Sequence, residues 1–290
     1  MAYQLIGVVG AGAMGRGLAQ SLAVSGLDVV LVDVSDSILK AARREIASAL
    51  RLSGLYGPEI SEAEATVALG RIKTALCLEE LADCDFLIEN ITERLDLKAE
   101  LYPRLDRVLH PSAPLAANTS VIPITRIASW TSRPEKVLGM HFMNPVPLKP
   151  VVEVIRGVLT SDDTLTAART LLKQMKKKAV VVADAPGFVS NRVLMLTINE
   201  AIWLVADGVA EAPEVDRIFR SCFGHPMGPL ATGDMIGLDT ILLSLEGLLA
   251  EYNDPKFRPC PLLRRMVDAG FYGRKNGRGF YEYIMNEDGE

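Results

Sequence analysis

An unbroken apolar run from Leu5 to Val9 stops at Gly10-Ala11-Gly12-Ala13-Met14-Gly15, and apolar positions resume with helical spacing from Arg16 to Val24. That order predicts a strand, a glycine turn and a helix. A second apolar run, Asp28 to Val32, ends at Asp33, and further short runs fall near residues 86–89, 114–117, 137–140, 151–155 and 179–182. Helical stretches such as 96–109 and 163–175 lie between them. Strands alternating with helices predict a doubly wound α/β sheet. After Asp184 the pattern changes. Pro186-Gly187 opens a helical run to about Ala206, and helical periodicity returns near 214–223, 239–252 and 262–269 with no clear strand signal. The predicted organisation is an α/β domain over residues 1–184 followed by an all-α C-terminal domain over 185–290. The first helix of that second part is apolar around much of its circumference (Val189, Val193, Leu196, Ile198, Ile202, Trp203), which predicts burial against another surface, a homodimer above all.

The glycine turn carries the first chemical signal. Gly10 permits a tight turn, Gly12 lets backbone approach a pyrophosphate, and Gly15 allows close helix packing, so phosphates meet the helix N-terminus along Ala11, Ala13 and Met14. Asp33 lies about 20 residues beyond the glycines, where a carboxylate suits the ribose 2′-hydroxyl of NAD and repels the 2′-phosphate of NADP. Val34, Ser35 and Asp36 supply no arginine for that phosphate. The first domain therefore reads as Rossmann-type and NAD-binding.

The second signal is Gly139-Met140-His141-Phe142-Met143-Asn144-Pro145 followed by Val151-Val152-Glu153-Val154-Ile155. Period-2 alternation puts Glu153 on the face of its strand opposite Val152 and Val154, where an inward carboxylate needs a partner. Pro145, Pro147 and Pro150 interrupt regular structure between the segments, so the chain is expected to double back and bring Glu153 beside His141. Such a pair makes a general base, the carboxylate fixing the tautomer and stabilising the protonated ring. The competing reading is a core histidine beside a structural ion pair. Polar clusters at two other strand ends, Glu89-Asn90-Ile91-Thr92-Glu93 and Asn118-Thr119-Ser120, lie where ligands bind in such sheets. Glu93 and Lys98 begin a new helix, and His110 and His225 sit beside prolines in loops.

Composition narrows the field. The chain has 290 residues, 49% of them apolar, enough for two cores, and a net charge of −5 disfavours nucleic acid as a partner. Cys77, Cys84, Cys222 and Cys260 have neither disulfide-framework nor zinc-ligand spacing, so no metal is expected and the thiols read as reduced and cytoplasmic. The N-terminus has no basic region of the signal-peptide kind, and no apolar run approaches the ~18 residues of a membrane span.

Taken together these stretches resemble the L-3-hydroxyacyl-CoA dehydrogenases, in particular the short 3-hydroxybutyryl-CoA type. The likeness runs along nearly the whole chain: IGVVGAGAMGRGLAQ from Ile6, ANTSVIPIT from Ala117, GMHFMNPVP from Gly139, VVEVIRG from Val151, DAPGFVSNR from Asp184, HPMGPL from His225, IGLDT from Ile236 and GRGFYEY from Gly277. The resemblance implies that His141 removes the proton of the substrate C3 hydroxyl while hydride leaves for the nicotinamide, and that Glu153 orients it. It further implies that Ser120 binds the reacting oxygen, that Asn191 holds the thioester end, and that Glu93, Lys98, Ser120 and Asn144 contact NAD.

The sequence also departs from that family. A serine and a lysine-rich turn that grip the CoA nucleotide in relatives fall here at Ala49, Tyr56, Gly57 and Glu59, with Arg51 a replacement cation. Val121 stands where a second serine is usual. An acyl group carried on an acyl carrier protein is the alternative, with Lys40, Arg44 and Arg51 near one helical face to meet an acidic carrier.

Overall fold

A computed structural model describes residues 2–56 and 60–284, without the side chains of 55 and 56. It divides into two compact units, Met1–Ala185 and Pro186–Glu290. The first unit opens with β1 (Leu5–Val9), α1 (Ala13–Val24), β2 (Asp28–Val32), α2 (Asp36–Arg51), α3 (Ser53–Tyr56), α4 (Glu62–Gly70) and β3 (Ile72–Ala75). It continues with β4 (Phe86–Glu89), α5 (Leu95–Val108), β5 (Leu115–Ala117), α6 (Ile124–Ala128), β6 (Val137–His141), β7 (Val151–Arg156), α7 (Asp162–Gln174) and β8 (Lys178–Ala183). The strands form one sheet in the order β3-β2-β1-β4-β5-β6-β7-β8. Every neighbouring pair is parallel except β6 and β7, which run antiparallel. The chain winds outward from β1 in one direction to β3 and in the other through β4, so the crevice beyond the ends of β1 and β4 is the switch point at which such sheets bind ligands.

Alternation within the strands assigns the two faces. Ile6, Val8, Val29, Leu31, Leu138, Met140, Val152 and Val154 join the cluster packed by α1, α2, α4 and α7. Odd positions of β6 face the other way: a Cβ on Gly139 would meet Ile124 Cδ1 and Ile155 Cβ, each at 2.8 Å, so only glycine lets α6 lie this close to the sheet. His141, two residues on, shares that face.

The first unit holds elements that the sequence does not predict: the short α3 and α6, and also β3 and α4. Ile72–Ala75 is an edge strand with Lys73 and Thr74 in its middle, and α4 buries only Ala65 and Ala68, so neither carries the apolar periodicity that marks an element. α5 ends on a buried cation, since Arg133 donates to the carbonyls of Asp106, Leu109 and His110 and to the Asp106 carboxylate.

The second unit is helical over its described residues: α8 (Ser190–Ala206), α9 (Ala212–Phe223), α10 (Pro229–Ile236), α11 (Leu238–Tyr252) and α12 (Pro261–Asp268). α8 starts later than its apolar pattern predicts because Gly187 and Phe188 have φ of +75° and +49°, outside the right-handed helix. α10, which the periodicity did not reveal, is held by Asp216, whose carboxylate accepts from the amides of Leu230 and Ala231. Asp234 is fully buried and accepts from the amides of Phe280 and Tyr281 and the hydroxyl of Tyr283. Burial is the first cause of its raised pKa. A Cβ on Gly279 would stand 2.1 Å from Asp234 Oδ1, which gives the Gly277–Tyr283 motif a packing role.

Candidate active site

The turn after β1 leaves room where a dinucleotide needs it. Gly10 has φ +93°, and a Cβ there would lie 2.7 Å from the carbonyl oxygen of Asn90. A Cβ on Gly15 would come within 1.8 Å of the Gly10 oxygen, so the helix enters the turn only because that position is bare. Around Gly12 nothing lies within 4 Å of the added atom: the glycine faces open space at the start of α1. Gly12 is the N-cap and offers no side chain to the first-turn amides, which leaves that end electropositive. Buried Ala11 and exposed Ala13 flank it, with half-buried Met14 beyond. Asp33, at the end of β2, accepts from the amides of Ala11 and Val34 at 2.7 Å each. These residues fit a pyrophosphate and an adjoining ribose, and the carboxylate is fixed beside the turn.

Across the switch point, the antiparallel register pairs His141 directly with Glu153. Cross-strand partners share a face, and here His141 Nδ1 lies 3.1 Å from Glu153 Oε2. Both side chains are buried, 7% and 8% exposed, so the pair is little screened by solvent. In the neutral ring a carboxylate, which only accepts, puts the proton on Nδ1 and leaves Nε2 to accept from the Ser120 hydroxyl 3.2 Å away. The prolines of the connection do interrupt regular structure, which is reduced to a short 3-10 turn over Val146–Leu148.

Glu93 holds the serine in place. Its Oε1 accepts from the Thr119 hydroxyl and from the amides of Ser120 at 3.0 Å and Val121 at 3.1 Å. One carboxylate oxygen therefore gathers the loop between β5 and α6, a role that spacing along the chain does not disclose. Val121 is buried in that loop.

Lys98 stands in the first turn of α5 but away from solvent. It is fully buried, with Nζ 2.7 Å from each Glu89 oxygen, and Tyr102 donates to the same carboxylate at 2.9 Å. Burial raises the pKa of Glu89 while Lys98 and Tyr102 work against it. Two of the three ammonium donors are thereby used, and only the third is left for any cofactor contact. Asn144 lies exposed in the β6–β7 connection, ahead of a cis bond to Pro145. Asn191 is half-buried in the first turn of α8, in the other unit. Ala49, Arg44 and Arg51 are exposed on α2, but Lys40 is paired with Asp36 at 2.6 Å, which removes one cation from the basic face. Tyr56, Gly57 and Glu59 lie outside the described residues or side chains. Among the described residues no group of three or more His, Cys, Asp or Glu could hold a metal ion, and no helix is long and apolar enough to cross a membrane.

A glycine turn after β1 and an imidazole fixed at the end of β6, both at strand ends of one sheet, suit an NAD-dependent oxidoreductase. Residues 5–185 match the family described as 3-hydroxyacyl-CoA dehydrogenase, NAD binding domain, and residues 187–283 match its C-terminal domain. The chain belongs to the 3-hydroxyacyl-CoA dehydrogenase family. It is 46% identical over 283 residues to the probable 3-hydroxybutyryl-CoA dehydrogenase of Bacillus subtilis, covering 98% of each chain. It is 44% identical to the 3-hydroxybutyryl-CoA dehydrogenase of Bradyrhizobium diazoefficiens, covering 96% of this chain and 94% of that one. Among solved structures, the (S)-3-hydroxybutyryl-CoA dehydrogenase PaaH1 from Ralstonia eutropha superposes with a TM-score of 0.90 at 45% identity, covering 98% of this chain and 100% of that one.

Proposed function

We propose that the chain interconverts a short 3-hydroxyacyl-CoA thioester and its 3-oxoacyl counterpart, with His141 as the general base. The observation that carries this reading is the chain from half-buried Ser120 Oγ through buried His141 to buried Glu153, at 3.2 and 3.1 Å, on the sheet that bears the dinucleotide turn. NAD, held at the glycine turn, would accept the hydride that leaves C3. His141 Nε2 takes the hydroxyl proton as the C3–H bond breaks, and Glu153 stabilises the imidazolium that results. Ser120 shares the reacting oxygen, and Glu93 keeps it in reach. Asn144, and Lys98 through its third donor, contact the nicotinamide nucleotide; Asn191 holds the thioester. Asp33 selects NAD over NADP.

The names of the relatives support a CoA thioester as substrate. The test is NADH oxidation with acetoacetyl-CoA: His141→Gln is expected to lower kcat by about 10²–10⁴-fold, and an unchanged kcat removes the base. A second reading, an acyl carrier protein as donor, draws support from Ala49, which has no polar side chain, and from Arg44 and Arg51, exposed on the same helix. The same acyl group presented on CoA, pantetheine and carrier protein separates the two, the best kcat/KM naming the carrier. We further read the protein as a cytoplasmic homodimer. The four cysteines are free thiols, and α8 and α9 leave Val193, Ile218 and Phe223 exposed, an apolar surface that a second copy would cover.

A further inference from the structure

β6 runs two residues past the strand that supports it. The last β5–β6 pair is Ala117 with Gly139, yet β6 continues to His141, so on its β5 side the base stands on an overhang. The backbone bonds that would hold that overhang are replaced by a chain of side-chain amides. Asn118 Oδ1 accepts the amide N–H of Phe142 at 3.1 Å, and Asn118 Nδ2 donates to Asn90 Oδ1 at 2.7 Å. Asn90 Nδ2 in turn donates to the carbonyl of Ile88 at 3.0 Å. Only one orientation of the two amides satisfies this series, because the Phe142 N–H can only donate and the Ile88 carbonyl can only accept. All three bonds point the same way, so each polarises the next.

The chain's far end reaches the nucleotide turn. The amide of Asn90 donates to the Val9 carbonyl at 2.7 Å, and the Asn90 carbonyl packs under Gly10, where an added Cβ would lie 2.7 Å from it. Asn118 is anchored as well, its own amide donating to the Glu89 carbonyl at 2.9 Å. The two asparagines thus span the ends of β4, β5 and β6, with the cofactor turn at one side and the residue after the base at the other.

We infer that Asn118 and Asn90 are positioning residues: together they hold the end of β6 so that His141 keeps its single tautomer between Glu153 and Ser120. This rests on His141 being the base. Without the Asn118 carbonyl, the Phe142 N–H loses its acceptor and the end of β6 is held on its β7 side alone, which misaligns Nε2 for proton transfer while Gly12, Asp33 and Asn191 stay in place.

The experiment pairs Asn118→Ala and Asn90→Ala with their double variant. Asn118→Ala is expected to lower kcat about 10-fold, with KM for NADH and acetoacetyl-CoA within about twofold of the parent. The double variant is expected to match Asn118→Ala, because both residues act through one chain. Imidazole ¹⁵N spectra, in which the His141 signals are those lost in His141→Gln, report the tautomer without turnover. They are expected to show Nδ1–H alone in the parent and a mixture in Asn118→Ala. An unchanged kcat, an unchanged tautomer, or losses that multiply in the double variant would each overturn the inference. Should Asn118→Ala not fold, Asn90→Ala carries the same two readouts with a smaller expected loss of kcat, since it removes the bond that orients the Asn118 amide toward Phe142. A parent inactive on every hydroxyacyl thioester counts against the proposed activity instead, and the spectra still decide the positioning role.

Discussion

His141 and Glu153 are directly opposed residues of an antiparallel strand pair, and Nδ1 and Oε2 meet at 3.1 Å. Replacing Glu153 by glutamine keeps an acceptor for the Nδ1 proton and removes the charge. Steady-state kinetics should then give a kcat lower by about 10-fold or more, a smaller loss than His141→Gln, with KM for NAD within about twofold. Parent-like turnover would mean that the carboxylate does not stabilise the ring.

Gly12 and Gly15 should fail differently. At Gly15 the new methyl would lie 1.8 Å from the Gly10 oxygen, so Gly15→Ala displaces the turn and lowers the melting temperature. At Gly12 the methyl meets nothing within 4 Å of protein. Gly12→Ala should melt with the parent yet raise the Kd for NAD about 10-fold or more, as read by titration calorimetry, because the space it fills is the one left for phosphate.

Lys98→Met leaves the Glu89 carboxylate buried without its cation. Denaturant unfolding should show a loss of about 3–5 kcal/mol, and adding Glu89→Gln should recover much of it by removing the charge. A loss under about 1 kcal/mol in the single variant would mean that Glu89 is relieved by taking up a proton or by water, and not held by Lys98.

Asp106 gives a pH test. Burial pushes its carboxyl up, but hydrogen bonds from Ser132 and Arg133 outweigh this and hold it below 3.8, its ordinary value. A carboxylate depressed in the folded state contributes stability that is fully present above the unfolded pKa and is lost as pH falls through the folded one. Between about pH 6 and about pH 3 the melting temperature of the parent should fall further than that of Asp106→Asn. Parallel curves would sink the assignment.

Much of the site was legible because its residues mark places where regular structure has to change. Gly10, Gly12 and Gly15 interrupt an apolar run, and Glu153 interrupts another, so each announces itself against its neighbours. Glu93 and Lys98 look alike in the sequence, two charges at a helix start, and only tertiary packing separates them: one caps the Ser120 loop, the other is sealed onto Glu89. Asn118 stood out only as part of a polar cluster, since its partners, Asn90 and Phe142, follow the ends of other strands. β3 and α4 escaped notice because an edge strand and an alanine-faced helix bury too little to impose a period.

The reversal between β6 and β7 makes the meeting of His141 and Glu153 an all-or-none device. Side chains alternate along a strand, so a slip of β7 by a single residue would bring Val152 or Val154 opposite His141 and send the carboxylate to the helix-packed face. No half-formed geometry lies between the two registers. The same valines that lock the core therefore act as the detent that keeps the imidazole and the carboxylate face to face.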